Sequence, residues 1–394
     1  MRLANHDADL TYCLNVHPGS TPAELEAAVF GHAPRVFEQF RSLGGPAGPY
    51  GVGLWLSAAC AGWLSEDGRL AEFADRLRDA GLYVFTLNGF PFGTFHGRRV
   101  KQDVYSPDWS ASARLDHTLR LGELLAGLLP PAGYGTISTV PVTYRSWATD
   151  DSERVAAAAA NLARVLAQFA DLEDRTGRRV QLLLEPEPDC LLDDAESVVR
   201  FFCDVFVPAT NKIFGAAWAA ELLKRHFGVC LDLAHAAVVF ADPLDMLARY
   251  RDHGIPVGKV HLSAAVASRG PGPPPEELRG FTDDVYLHQT RVRTSQGIQA
   301  FPDLPDALET PGVEGDWRVH YHVPLIWGGT ETLASTRDLI TPALLEAAVD
   351  AGVRHFEVET YTLSLFHEGA EPAETVLALE LLWAQRQFPT AGTQ

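Results

Sequence analysis

The chain is dominated by one repeated pattern, in which a short apolar run is followed by a helix-length amphipathic stretch and then by another apolar run. Apolar runs without polar alternation are typical of parallel strands, because helices cover both faces of such a sheet. The pattern therefore predicts an α/β fold, either an open doubly wound sheet or a closed barrel. Nine runs are strand candidates: 10–16, 50–56, 82–89, 135–142, 180–186, 228–233, 258–263, 317–325 and 353–361.

Two phosphate-binding signatures are missing from the sequence. No G-x-G-x-x-G follows the first run, and no G-x-x-x-x-G-K-[ST] occurs anywhere. Both absences argue against an open nucleotide-binding sheet and favour a single (β/α)8 TIM barrel that spans 1–394. Nine candidates exceed by one the eight strands that such a barrel needs. We expect one of the first two candidates to lie outside the barrel or to plug its base.

The segment 264–316 breaks the repeat. It opens with "SRGPGPPPEELRG", continues through "YLHQTRVR" and ends in the proline-rich "FPDLPDALETPG". A long connection without periodicity is usually functional or mobile, so we predict a lid-like insertion over the catalytic face of the barrel. The last residues, 386–394, are expected to form a disordered tail.

The composition and net charge of the chain indicate which binding partners and which cellular compartment to expect. Hydrophobic residues make up 46% of the 394 residues and charged residues 21%, as in a well-packed globular protein. The formal net charge of −19 argues against nucleic acid and anionic membranes as partners. The N-terminal sequence has no apolar signal core, and no uninterrupted apolar run is long enough to span a membrane. Five widely spaced cysteines without a C-x-x-C pair are typical of buried free thiols, so we expect a cytoplasmic protein.

Four strand candidates end in side chains that can bind a metal. Each runs apolar residues first and polar residues last, which is the order that an active site at the carboxyl ends of barrel strands requires. Carboxylates combined with imidazole suit a divalent cation such as Mn²⁺, Zn²⁺, Mg²⁺ or Fe²⁺. The side chains are Glu185 and Glu187, Asp232 and His235, His261, and Glu357 and Glu359.

Each proposed metal ligand also has a structural alternative. Glu185 and Asp232 are also typical of helix caps, and a lone histidine such as His261 is often a core residue. The strand-end positions favour the ligand role for all three. On the last strand Glu359 lies nearer the end than Glu357, so we assign the metal to Glu359 and a supporting charge or hydrogen bond to Glu357.

A further set of residues is expected to contact the substrate. His322 is favoured over His320, and residues of "NGFPFGTFHG" are expected to line the mouth of the site. Arg98, Arg99 and Lys101 follow this loop and form either an anion-attracting patch or, more commonly, a solvated basic edge. The predicted substrate-binding residues are Glu187, His235, His322, Asn88, His96 and Glu357.

The order Glu, Asp-x-x-His, His, Glu resembles the xylose-isomerase-like (sugar phosphate isomerase/epimerase) TIM-barrel superfamily. Blocks such as "TLNGFPFGTFHG", "LLLEPEPDC" and "FEVETYT" resemble more narrowly the metabolite traffic family EboE, and the likeness covers nearly the whole chain. The superfamily implies that Glu185 and Glu359 bind the metal and act as proton donor and acceptor. It implies Asp232 and His261 as the other ligands and His235 as a substrate contact. The chain departs from the usual asparagine–arginine element after the first glutamate, where it has "EPEPDC".

These patterns predict a metal-dependent isomerase or epimerase of a sugar- or cyclitol-like polyol, phosphorylated or not, in a bacterial secondary-metabolite pathway. A bound cation would stabilise the enediolate, and the two glutamates would move the proton. The alternatives are a metal-dependent hydrolase or lyase acting on a small phosphoester, and a non-catalytic metabolite carrier. The sequence leaves the metal, the substrate and the oligomeric state open, and a homo-oligomer is compatible with it.

Overall fold

The computed structural model describes residues 1–3, 6–96, 99–363 and 371–389. Eight parallel strands form one sheet in the order β1-β13-β7-β6-β5-β4-β3-β2, with strands numbered in chain order over both sheets of the protein. The two end strands meet through a single parallel bridge between Cys13 and Gly53, so the sheet curls into a nearly closed barrel. The strands are β1 Asp9–Tyr12, β2 Tyr50–Trp55, β3 Leu82–Asn88, β4 Tyr134–Thr139, β5 Arg179–Leu184, β6 Phe227–Asp232, β7 Val257–Leu262 and β13 His355–Val358. The predicted (β/α)8 barrel is confirmed.

Helices follow the strands and cover the barrel. The longest, Ser152–Thr176, begins where Asp151 accepts a hydrogen bond from the Arg154 amide and ends at Gly177, whose φ of 68° favours glycine. Its length and apolar composition would suit a membrane span, but 56% of its apolar window is buried within the fold. The other helices are Pro22–Glu26, Ala33–Ser42, Ala58–Leu64, Arg69–Asp79, Ser112–Leu128, Ala195–Phe201, Val207–Phe214, Ala216–His226, Leu233–Val238, Pro243–Asp252, Leu304–Glu309, Pro342–Asp350 and Ala373–Gln387.

The prediction that one of the first two strand candidates lies outside the barrel is wrong. Both are barrel strands, and the extra candidate is 317–325. Its first residues belong to β11, which pairs with two antiparallel neighbours outside the barrel. An apolar run looks the same in either setting, so the sequence could not distinguish a barrel strand from a strand of a second sheet.

The predicted insertion contains most of this second sheet. Five strands pair in the order β10-β9-β11-β8-β12, and the neighbouring strands are antiparallel. The sheet extends beyond 316 and so adds a folded layer after β7 rather than an irregular loop. Its strands are β8 Val266–Ser268, β9 Thr290–Thr294, β10 Gly297–Phe301, β11 Asp316–Val319 and β12 Leu333–Ser335.

Two smaller predictions concern the cysteines and the tail. Cys13, Cys60, Cys190 and Cys230 are buried and free as predicted, whereas Cys203 is exposed. The last helix reaches Gln387 and Phe388 is buried. Residues 390–394 of the predicted disordered tail lie outside the described residues, so that prediction stays open.

Candidate metal centre

Four strand-end side chains meet at one end of the barrel. Glu185 follows β5, Asp232 ends β6, His261 lies near the end of β7 and Glu359 follows β13. One ligand atom from each residue lies within 4.8 Å of one ligand atom from every other. Parallel strands of a barrel end on the same face, which is why residues so far apart in sequence converge here. All four residues are at most 4% exposed.

The imidazole of His261 has a different environment at each ring nitrogen. Its Nε2 lies 3.0 Å from Glu357 Oε2, and this carboxylate also accepts a 2.8 Å hydrogen bond from Lys259 Nζ. A carboxylate oxygen accepts, so Nε2 carries a proton. The other nitrogen, Nδ1, lies 3.0 Å from Glu185 Oε1, 3.1 Å from Glu359 Oε2 and 3.4 Å from Asp232 Oδ2.

Two carboxylate oxygens in the cluster have no hydrogen-bond partner among the described residues. They are Oε2 of Glu185 and Oδ2 of Asp232, both buried. Buried carboxylate oxygens without a donor are costly unless a cation compensates them. Three carboxylates and one imidazole nitrogen, with the other nitrogen donating to a carboxylate, form a donor set that fits a divalent metal.

Asp232 combines the two roles that the sequence left as alternatives. Its Oδ1 accepts hydrogen bonds from the His235 amide at 2.8 Å and from Ser263 Oγ at 2.9 Å. The first bond caps the helix Leu233–Val238. Because Oδ1 makes the cap, Oδ2 remains free to face the cluster.

Burial and neighbouring charges shift the pKa values of the clustered side chains and of Glu187. Burial lowers the pKa of His261, but Cys230, Glu359 and Glu185 together raise it well above its usual value. Burial raises the pKa of Glu185, and the nearby His261 more than offsets this and lowers it. For Glu187, burial prevails and raises the pKa to about 7. Burial also raises the pKa of Asp232, but the surrounding histidines more than offset this, so Glu185 and Asp232 are held in the charged form that a cation requires.

A cavity that opens to solvent adjoins the cluster. Glu185 and Glu359 line it, whereas Asp232 and His261 lie behind them. Of the predicted substrate-binding residues, Glu187, His235 and Asn88 line the cavity. Its other described lining residues are Asn15, Phe90, Pro91, Phe95, Val100, Lys101, Val104, Tyr105, Tyr286, Leu287, His320 and Tyr361.

Three predicted substrate contacts are not among the described residues that line the cavity, and their role stays a prediction. Glu357 lies beneath the cluster in its ion pair with Lys259. His322 is fully buried, and its neighbour His320 lines the cavity instead. His96 lies in the wall, where it bonds to the Asn15 carbonyl and accepts from Tyr286 Oη at 2.8 Å.

Sequence reasoning missed several polar residues of the site. Asn15 and Asn88 both donate to Glu359 Oε1, at 2.8 Å and 3.1 Å, and only Asn88 was predicted. Asn15 follows the first strand, so the rule that strand-end polar residues face the site would have found it. Tyr105 donates to Glu187 Oε1 at 2.6 Å and comes from a loop, where no periodicity marks it.

Of the predicted basic residues Arg98, Arg99 and Lys101, none that the structure describes places an unpaired positive charge in the cavity. Lys101 donates to Asp303 Oδ2 at 2.6 Å and to the Asp283 carbonyl at 2.9 Å. Arg99 is exposed, and Arg98 lies outside the described residues. The solvated-edge interpretation therefore fits Arg99, while Lys101 lines the cavity and is bonded to two residues outside its lining.

Comparison with known proteins shows the fold. No family model matches the chain, and neither does any curated protein. A xylose isomerase-like TIM barrel protein from Mycobacterium smegmatis, solved in complex with magnesium, is 14% identical, with a TM-score of 0.52 and 98% of both chains covered. A xylose isomerase domain protein from Alicyclobacillus acidocaldarius is 13% identical, with a TM-score of 0.49 and 96% of this chain and 98% of that one covered. The IOLI protein with a bound zinc atom is 13% identical, with a TM-score of 0.48 and 97% of this chain and 100% of that one covered. The chain therefore has the fold of the xylose isomerase-like TIM barrels.

Proposed function

We propose that the protein is a metal-dependent isomerase or epimerase that acts on an uncharged sugar- or cyclitol-like polyol. One observation carries the proposal: of the four clustered residues, only Glu185 and Glu359 line the cavity. They follow β5 and β13, two strands that are separated by two others in the barrel, so they approach a bound molecule from different sides. Two carboxylates on different sides of one carbon are what proton removal and return require.

The four clustered residues, Glu185, Asp232, His261 and Glu359, would hold a divalent ion, of which Mn²⁺, Zn²⁺, Mg²⁺ and Fe²⁺ are candidates. Such an ion, when bound, stabilises the negative charge that develops on substrate oxygens as a neighbouring C–H is deprotonated. Without Asp232 and His261 the site would lack two of its four donors.

The two glutamates are held differently, which gives them different roles. Glu185 Oε2 has no hydrogen-bond partner among the described residues and is free to take a proton from the substrate. Glu359 Oε1 is held by the amides of Asn15 and Asn88, which fix its carboxyl group for return of a proton. Removal and return at one carbon give epimerisation, and return at the neighbouring carbon gives aldose–ketose exchange. A positioned acid–base group typically contributes about 10²–10⁴-fold in rate.

The cavity wall supports an uncharged substrate with both polar and apolar faces. Phe90, Phe95, Tyr286 and Tyr361 present aromatic surface on which the C–H face of a polyol can pack. Glu187, fixed by Tyr105, lies on the polar side, where it can accept a hydrogen bond from a hydroxyl group. Lys101, which lines the cavity, is already paired with Asp303, so it does not favour a phosphate group.

We place this reaction in a bacterial secondary-metabolite pathway. The support is the likeness of blocks such as "TLNGFPFGTFHG" and "FEVETYT" to the metabolite traffic family EboE. Asn88 and Glu359, which these blocks contain, both line the cavity. A cyclitol-like intermediate of such a pathway is therefore the first substrate to examine.

Deuterium exchange tests the proposal. We expect the metal-loaded protein to incorporate solvent deuterium at one C–H of a bound polyol, as followed by NMR, and Glu185→Gln to reduce this rate by at least about 100-fold. Glu173→Gln, which changes a half-buried carboxylate paired with Arg225 and absent from the cavity lining, serves as the control. Binding without exchange would indicate a carrier, and phosphoester cleavage without exchange would indicate a hydrolase; either result would overturn the isomerase proposal.

A further inference from the structure

A buried cation outside the metal cluster has had no part in the proposed reaction so far. Arg114 lies in the helix Ser112–Leu128 and is fully buried. Burial lowers its pKa to about 9, so the guanidinium stays charged near neutral pH. It makes no ion pair with a described residue, and the nearby carboxylate of Asp108 is bonded to Arg154 instead. A buried cation without a paired carboxylate is costly unless its N–H groups are bonded.

Backbone carbonyls of one loop accept hydrogen bonds from this guanidinium. Nη1 donates to the Gly89 carbonyl at 2.8 Å and to the Phe90 carbonyl at 3.0 Å, and Nε donates to the Pro107 carbonyl at 2.8 Å. Nη2 has no hydrogen-bond partner among the described residues. Gly89 and Pro107 lie at the two ends of the connection between β3 and the helix, so one side chain joins both ends. Residues of this connection, among them Phe90 and Tyr105, line the cavity.

The turn that Arg114 holds also fixes the amide of Asn88. Asn88 Oδ1 accepts a hydrogen bond from the Phe90 amide at 3.0 Å, and Asn88 Nδ2 donates to Glu359 Oε1 at 3.1 Å. The Phe90 N–H can only donate, so Oδ1 must face it and Nδ2 must then face Glu359. Phe90 is thus held by Arg114 at its carbonyl and by Asn88 at its amide.

The same turn packs closely against the helix that carries Arg114. A Cβ atom at Gly89 would lie 2.9 Å from Leu121 Cδ1 and 2.9 Å from Ile137 Cγ2, so glycine allows the turn to approach both side chains. Packing sets how close the turn lies to the helix. The three hydrogen bonds of Arg114 set the direction in which the peptide groups of the loop point.

We propose that Arg114 is a positioning residue for Glu359, acting through Phe90 and Asn88. By holding the carbonyls on both sides of the loop, it keeps the Asn88 Nδ2 donor on Glu359 Oε1. A guanidinium suits this role because its planar donors are fixed relative to one another, whereas a lysine ammonium presents a single point charge. The effect on catalysis rests on the proposed function, in which Glu359 returns the proton, but the placement of the Asn88 amide does not.

Hydrogen exchange of side-chain amides tests the placement without a substrate. In ¹⁵N-labelled protein the Asn88 signal is assigned by its loss in Asn88→Ala, and the buried amide of Gln181, which donates to the Phe227 carbonyl, is the internal reference. We expect Arg114→Met to speed exchange of the Asn88 amide at least about tenfold and to leave Gln181 unchanged, because hydrogen bonds from a charged group are lost only at the loop. Arg337→Met, which removes an arginine that also donates to a backbone carbonyl, should change neither signal.

A second variant covers the case in which Arg114→Met does not fold. Arg114→Lys keeps the buried positive charge, but an ammonium cannot hold carbonyls at both ends of the loop. The Asn88 amide should therefore again exchange faster than in the wild type, while Gln181 stays unchanged.

Kinetics test whether Arg114 acts through Asn88. For a polyol into which the wild type introduces solvent deuterium, Arg114→Met and Asn88→Ala should each lower kcat by about tenfold. The double variant should lose no more than either single variant, because both changes remove the same donor. Residues that act independently would multiply to a loss of about 100-fold.

The outcomes separate this inference from the proposed function. Unchanged exchange of the Asn88 amide in both Arg114 variants, or a wild-type amide that exchanges as fast as an exposed one, would overturn the positioning role. Faster exchange of Asn88 and Gln181 together would show that Arg114 stabilises the whole fold, and a multiplicative loss in the double variant would show a separate effect; either result would also overturn it. A wild type that introduces no deuterium into any polyol would overturn the proposed function, while amide exchange would still decide whether Arg114 places Asn88.

Discussion

Two groups of buried charge lie against opposite sides of His261. At Nε2, one carboxylate, Glu357, is paired with one cation, Lys259, and both residues are fully buried. At Nδ1, three carboxylates face the imidazole, and no lysine or arginine among the described residues makes an ion pair with them. We call Lys259 and Glu357 the lower group and the three carboxylates at Nδ1 the upper group. The negative charge of the lower group is balanced by a lysine of the chain, whereas that of the upper group is not balanced by a lysine or arginine.

The difference shows which group serves the structure and which serves the function. Burial raises the pKa of Glu357, but Lys259 more than offsets it, and the pKa falls to about 2. The charge of Glu357 is thus balanced within the chain, although its Oε1 has no hydrogen-bond partner among the described residues. Of the three carboxylates at Nδ1, Glu185 and Asp232 each keep a buried oxygen without a hydrogen-bond partner among the described residues, and Glu185 and Glu359 line the cavity. An excess of buried negative charge next to a cavity indicates that the missing positive charge arrives from outside the chain.

The largest expected effect comes from breaking the balanced pair. Lys259→Met leaves Glu357 as a buried, unpaired carboxylate, which should lower the free energy of unfolding by about 3–5 kcal/mol. Urea unfolding of the purified variant measures this change. The double variant Lys259→Met/Glu357→Gln removes both charges and should recover most of the loss. If both variants are equally unstable, the lower group is not a balanced pair.

Another buried carboxylate, Glu380, has hydrogen bonds but no ion pair among the described residues, and it offers a further comparison. It accepts from the Leu325 amide at 2.7 Å and from Thr360 Oγ1 at 2.8 Å. Burial raises its pKa to about 7, from an ordinary value of 4.5. The folded state then binds the proton more tightly than the unfolded state, so stability is greatest below pH 4.5 and is lost as pH rises towards 7.

Glu380→Gln should remove this pH dependence. The wild type should lose about 3 kcal/mol relative to the variant between pH 4.5 and 7.5, because one pKa unit corresponds to about 1.4 kcal/mol. The measurement is the difference between the urea unfolding curves of the two proteins at each pH. Parallel curves for the two proteins would show that Glu380 is not the group that titrates.

The three carboxylates at His261 Nδ1 should make the stability of the protein depend on a bound metal ion. At 100 times its dissociation constant, Mg²⁺ should stabilise the chelator-treated wild type by about 2.7 kcal/mol. Glu185→Gln/Asp232→Asn should lose this gain. Without metal, this variant should be at least as stable as the wild type, since it removes like charges. A thermal melt with and without Mg²⁺ checks both statements, and a metal-free variant much less stable than the wild type would contradict them.

The smallest effect is expected at the amides that hold Glu359. Asn88→Ala removes one of two donors to Oε1 and should slow deuterium exchange by about tenfold, since a hydrogen bond to a charged group contributes about 1.5–3 kcal/mol. Mg²⁺ stoichiometry should not change. Asn161→Ala, which removes a buried amide bonded to the Trp109 carbonyl, is the matched control. Equal rates for both variants would show that Asn88 has no special role.

The sequence predicted the barrel and the four clustered residues because both follow from one local rule, an apolar run that ends in a polar residue. Glu185, Asp232, His261 and Glu359 all obey it. The rule failed for "WRVHYHVPL", where β11 obeys the same pattern in an antiparallel sheet. It could not choose between His320 and His322, because their facing depends on a loop that leaves the second sheet.

Other parts of the site depend on contacts that no local pattern encodes. Lys259 lies in "GKVHLS", where a lysine beside a glycine is typical of an exposed strand start, yet it is fully buried. Its partner, Glu357, is 98 residues away in sequence. Tyr105 and Gln289 meet Glu187 from two loops, and their contact is set by how these loops pack against one another.

The isolated bridge at Gly53 has a consequence for how relatives of this chain can be recognised. A Cβ atom at this position would lie 1.6 Å from Glu357 Oε1 and 3.2 Å from the Tyr12 carbonyl. A relative that has a glutamate at position 357 and a lysine at position 259 must therefore have a glycine at position 53. In an alignment, Gly53, Lys259 and Glu357 should change together. These three positions should separate barrels that contain the buried lysine–glutamate pair from barrels that fill the same space with aliphatic side chains.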